Sequence, residues 1–119
     1  MRPRSSARVL LPLASIVFAL AGCKSPYIST TIVNNTGAPV TLVEVDYPSA
    51  SFGRDVLAAG ATFPYRFKII GSGPTKVSWT DAAHHEHSSA GPDLHEGQQG
   101  QLAIALTPAG PSWSAHLSP

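Results

Sequence analysis

The sequence predicts an all-β domain: a small immunoglobulin-like antiparallel β-sandwich of about seven strands, with an open β-barrel as the alternative. Three observations carry this reading. Apolar residues recur at alternate positions over several short segments, the period of a strand with one buried and one wet face. Clusters of Gly, Asn and Pro punctuate these segments at spacings of roughly 8–12 residues, as sandwiches and barrels require. No stretch of useful length follows the 3.6-residue period of an amphipathic helix. The chain has a single cysteine, so no Cys–Trp–Cys spacing accompanies the pattern.

The strands are justified in order along the chain. Ile28 to Val33 is rich in Thr and β-branched residues, which suit a pleated surface. Asn34-Asn35-Thr36-Gly37 ends it with residues that tolerate positive φ. Val40 to Tyr47 alternates less cleanly, with Val43, Val45 and Tyr47 on one face. After Ala58-Ala59-Gly60 comes the clearest strand, Thr62 to Ile69, with Phe63, Tyr65, Phe67 and Ile69 on one side and Thr62, Pro64, Arg66 and Lys68 on the other. Pro64 has no N–H to donate, so this strand belongs at a sheet edge or at a bulge. Gly71-Ser72-Gly73-Pro74 leads into Thr75 to Thr80, whose Val77 and Trp79 point inward. Gln101 to Leu106 carries Leu102, Ile104 and Leu106, and Trp113, Ala115 and Leu117 mark a last short strand. Trp79 and Trp113 are expected in the core, where a small domain needs their area. Ser88 to Gly100, SSAGPDLHEGQQG, reads as the one long connector, and loops of that length are often functional.

The first 26 residues are of a different kind. MRPRSSAR supplies Arg2, Arg4 and Arg8, and an apolar run of 12 residues follows from Val9 to Leu20, interrupted by Pro12. That is a charged region followed by an apolar one too short to span a bilayer comfortably, the form of a secretory signal. The run ends in Leu20-Ala21-Gly22-Cys23. In these four residues the chain resembles bacterial lipoprotein precursors, whose cleavage box is Leu, two small residues and Cys. The resemblance implies cleavage before Cys23 and diacylglycerol on its thiol. It also implies acylation of the new amine, as with palmitate, and residence in the cell envelope, anchored to a membrane and facing the periplasm. Two or more acyl chains suffice for stable anchoring.

The chain then divides into a signal peptide (1–22), the lipidated Cys23 with a short tether (23–26) and a single β-sandwich domain (27–119). Removing the signal takes away three of the eight basic residues, leaving five against seven acids and a net charge of −2 with neutral histidine. No basic stripe remains to suit nucleic acid. Lys24-Ser25-Pro26 extends over only about 10 Å, so the domain is expected to sit against its membrane.

Chemistry-bearing residues are few. His84-His85-Glu86-His87 and His95-Glu96 hold four of the five histidines. Asp81-Ala82-Ala83-His84 reads as a turn with Asp at its first position. A strand resuming at His85 places His85 and His87 on one face and Glu86 on the other. His-x-His on a strand is a ligand spacing known in zinc sites, and a metal reading would take His85, His87 and His95 as its ligands. A solvated hairpin tip is the competing reading, and no Cys or Met joins the cluster. The sequence has no G-x-S-x-G elbow, and Asp93 and Glu96 lack the aromatic platforms of a sugar site. Arg66, Lys68 and Lys76 would share the outer face of one hairpin and could meet anionic headgroups. The expectation is a non-catalytic module, with no cofactor, that binds an envelope protein or another envelope component near the membrane through His85, His87, Asp93, His95 and Glu96. The alternative is a Zn- or Cu-binding lipoprotein.

Overall fold

The computed structural model describes residues 27–119. The expected signal peptide, the lipidation expected at Cys23 and the expected tether to residue 26 lie outside the described residues. Eight strands follow in order: β1 (Ile28–Asn34), β2 (Val40–Tyr47), β3 (Ala50–Leu57), β4 (Thr62–Phe67), β5 (Gly73–Thr80), β6 (Glu86–Leu94), β7 (Gln99–Thr107) and β8 (Gly110–Ser118). They form two four-stranded sheets, ordered β4-β1-β7-β8 and β3-β2-β5-β6. The sheets face each other as a sandwich and neither closes into a barrel. All pairings are antiparallel except that of β1 with β7, where Ile28 lies opposite Gly100.

The alternating residues fill the space between the sheets. Ile28, Ile32, Leu102, Ile104 and Leu106 come from one sheet, and Val40, Val43, Val45, Val77 and Trp79 from the other; all are buried. Phe52 and Phe67 close the β3–β4 side with two flanking tyrosines: Phe52 stacks on Tyr65 at 4.2 Å and Tyr47 on Phe67 at 4.1 Å. Pro64 does lie on an edge strand, since β4 pairs only with β1. The weak alternation of β2 has a local cause. Leu42 takes a φ of 52°, and three steps of β2 from Thr41 to Glu44 face two steps of β5 from Thr80 to Ser78. This bulge lets both Val40 and Val43 point inward although their spacing is odd.

Three expectations are corrected. Ala50–Leu57 is a strand that the pattern did not reveal: its buried residues, Phe52 and Leu57, are five apart. Most of the expected long connector is β6, and only residues 95–98 link it to β7. Between inward His87 and buried Leu94, the inner face of β6 carries only small residues, because the Trp113 indole reaches across from β8 onto Gly91, where an added Cβ would lie 2.5 Å from the ring. Lastly, β4 and β5 belong to different sheets, so Arg66, Lys68 and Lys76 do not share a hairpin face. Buried Ile69 draws the connector across the core, and Lys76 pairs with Asp46 at 3.7 Å.

The strand directions give the sandwich two distinct ends. The proximal end, where the chain enters β1, holds Tyr27, the Pro48–Ser49 turn, the Lys68–Ser72 connector and the His95–Gln98 turn. The distal end holds residues 35–39, 58–61, 81–85 and 108–109.

Candidate functional site

The distal end is organised by two side chains. Asn34, fully buried at the end of β1, donates through Nδ2 to the carbonyls of Ala38 (2.8 Å), Leu57 (3.0 Å) and Ala58 (3.2 Å). Its Oδ1 accepts from the Thr36 N–H (3.0 Å) and from the Thr36 hydroxyl (2.7 Å). One amide thus ties the β1–β2 turn to the end of β3.

Asp81 does the same for the β5–β6 hairpin. The backbone closes between Asp81 N–H and His85 C=O at 2.9 Å, with His84 at a φ of 66° to turn the chain. Asp81 Oδ1 accepts from the N–H groups of Ala83 and His85, both at 2.9 Å. Oδ2 lies 2.7 Å from His87 Nε2 and 3.8 Å from His85 Nδ1. An ionised carboxylate only accepts, so His87 Nε2 carries the hydrogen. These bonds favour the ionised form. The His87 side chain contributes most, then the backbone N–H of His85, and together they bring Asp81 down to about 2 from an ordinary 3.8.

His87 faces inward opposite Trp79 and lies flat on it, with ring centroids 5.0 Å apart and planes 13° from parallel. His87 is therefore held on two sides, by the indole and by the carboxylate. Asp81, Ala83 and His87, with Thr36, Ala38 and Thr107, line a cleft of about 270 Å³ that opens at the distal end. The cleft offers one fixed anionic group beside a small apolar floor, and the Thr36 and Thr107 hydroxyls are already donated to Asn34 and Gly110, so its surface is set before any partner arrives.

The expected site residues fall into two groups. His85 and His87 meet Asp81 at the distal end. His95 and Glu96 sit in the β6–β7 turn at the proximal end, on the order of 30 Å away at the rise of an extended strand. Glu96 has a structural task there: its Oε1 accepts from Gly71 N–H at 2.7 Å, and its own N–H donates to Ser72 Oγ at 3.1 Å. His95 N–H donates to Gln98 Oε1 at 2.8 Å. Asp93 is exposed, paired in register with Pro74. The grouping of His85, His87 and His95 as ligands of one metal is thus corrected, because β6 runs extended between them. Among the described residues no group of three or more His, Cys, Asp or Glu side chains is placed to hold a metal ion.

In the sequence Asn34, Thr36 and Asp81 read as turn formers and not as organisers of a cleft. For Asp81 the signal was present, an Asp opening a turn six residues before an inward histidine. For Asn34 it was not, since its partners Leu57 and Ala58 lie 23 and 24 residues on. Comparison of the chain with family models, with curated proteins and with solved structures gave no match.

Proposed function

We propose that this chain is a lipid-anchored protein of the bacterial cell envelope whose β-sandwich is a non-catalytic binding module. It presents the Asp81–His87 cleft to an envelope partner. The observation that carries the reading is the opposition of the two ends. The chain enters the sandwich four residues after Cys23, and the cleft opens at the other end. A lipid on Cys23 leaves that cleft directed away from the membrane, where a protein or another envelope component can reach it.

The non-catalytic reading is supported by how the polar groups of the cleft are used. Asp81 spends its acceptors on its own hairpin and His87 is clamped between Trp79 and Asp81. Groups fixed in this way suit recognition, which gains from preorganisation.

The test is site-specific photocross-linking in a bacterial host with the full chain. A photoreactive residue at Ala82 or Ala83, both exposed at the distal tip, is expected to give a discrete adduct. The same residue at Ala103, exposed on the outer face of β7, is expected to give none. Adducts at Ala103 alone would place recognition on the sheet face and overturn the assignment to the cleft.

A further inference from the structure

We infer that the proximal end is a bilayer-contacting surface on which Tyr27, Ile70, Lys68 and Arg66 rest against anionic phospholipid. The inference rests on the lipid-anchored reading above and adds the orientation and the contact residues.

Covalent reach sets the first constraint. Tyr27 is four positions after Cys23, so their Cα atoms lie within about 14 Å of one another however the intervening chain is arranged. A bilayer holding a lipid on Cys23 must come within that distance of the proximal end.

What stands there is suited to a lipid surface. Tyr27 directly precedes Ile28, the register partner of Phe67, and so shares the corner with Lys68. Arg66 lies over the Tyr27 ring with its guanidinium carbon 4.4 Å from the centroid. An aromatic ring with a polar tip, flanked by cations on flexible stems, is the composition found at membrane–water interfaces. Ile70 extends the same corner, and 61% of its surface is exposed.

An isolated exposed apolar residue is ordinary. Ile70 differs in being held in place from both sides. Buried Ile69 plugs the core just before it, and just after it Gly71 and Ser72 are bonded to Glu96. The connector has no freedom to fold Ile70 inward. Of the nearby acids, Asp46 pairs with Lys76 and Asp93 stands on β6 in the opposite sheet. Glu96 keeps its charge where it accepts from the Gly71 N–H, so the two cations at this corner face one unpaired carboxylate. The cationic corner is made by Arg66 at the end of β4, an edge strand, and Lys68 just after it, beside the point where the chain enters β1.

The experiment uses the mature lipidated chain in vesicles of phosphatidylethanolamine and phosphatidylglycerol doped with a phospholipid bearing a photoreactive headgroup. Adducts are mapped by mass spectrometry, and the mass of the Cys23 peptide is read in the same run. Adducts are expected on Tyr27 and on residues 66–72, with none on residues 81–85. They should fall several-fold in the Lys68→Glu/Ile70→Glu variant, whose exposed substitutions leave the melting temperature near that of the parent. A Cys23 peptide that carries lipid, with adducts spread evenly or absent, would overturn the inference and leave the anchor intact. A Cys23 peptide without lipid would overturn both.

Discussion

Asn34 and Asp81 show how much a single side chain decides at the ends of this sandwich. Asn34 satisfies three carbonyls and two donors from a position with no access to water. Replacing it by Ala strands those groups, and Asn34→Ala is expected to cost about 3 kcal/mol, read as a lower urea midpoint. Thr36→Val removes one arm of the network and should cost about 1 kcal/mol in the same assay. Asp81 makes a prediction in pH. Its folded value lies below its unfolded value, so its stabilising effect is fully present above the ordinary carboxylate range. That effect fades as pH falls from about 4 toward 2. Wild type should therefore be more stable than Asp81→Asn at neutral pH, with the two melting temperatures converging near pH 2. A gap unchanged at pH 2 would show that the charge on Asp81 does not hold the hairpin.

At the scale of elements, legibility followed how each strand fills its inner face. β1, β4, β5 and β7 carry large apolar residues at alternate positions and could be read directly. β3 and β6 could not. In β3 the buried Phe52 and Leu57 fall out of phase, and Arg54 between them faces the rim, with its guanidinium carbon 4.6 Å from the centroid of the Phe63 ring. In β6 the missing bulk comes from another strand altogether, since Trp113 of β8 occupies the space over Gly91. A glycine in a strand often marks such a close approach, but no local pattern says which residue approaches. The two positions are thus one unit. Gly91→Val should cost about 2 kcal/mol through overpacking, and Trp113→Ala about 3 kcal/mol through the cavity it leaves. The double variant should lose less than the sum, because the smaller residue at 113 makes room for the larger one at 91. Strict additivity in denaturant unfolding would show that the indole does not bear on Gly91.

For the whole molecule the separation of the two ends matters most. The candidate histidines looked like one cluster because they are near in sequence, yet an extended strand places His85 and His95 at opposite ends. Periodicity made the sandwich legible, but the site depends on which turns meet in space, and the turns around Asn34 and Asp81 meet only once both sheets are assembled. Added Zn²⁺ is accordingly expected to leave the melting temperature unchanged. A rise that disappears in His85→Ala/His87→Ala would reinstate metal handling. Cys23→Ser should move the protein from the membrane fraction to the soluble fraction without altering the melting temperature of the sandwich.

The parallel pairing of β1 with β7 also bears on when the protein can fold. β1 is the first strand of the domain, yet it lies between β4 and β7, and Gly100 stands opposite Ile28 from 72 positions further along the chain. The central pairing of that sheet cannot form until nearly all of the domain is available. Contacts of such long range fold slowly. The export proposed above would carry the chain across the membrane unfolded, and here the topology itself delays the first strand from settling. A chain shortened before β7 would leave the β1 flank that carries Ile28 and Ile32 without its partner, an open edge prone to wrong pairing.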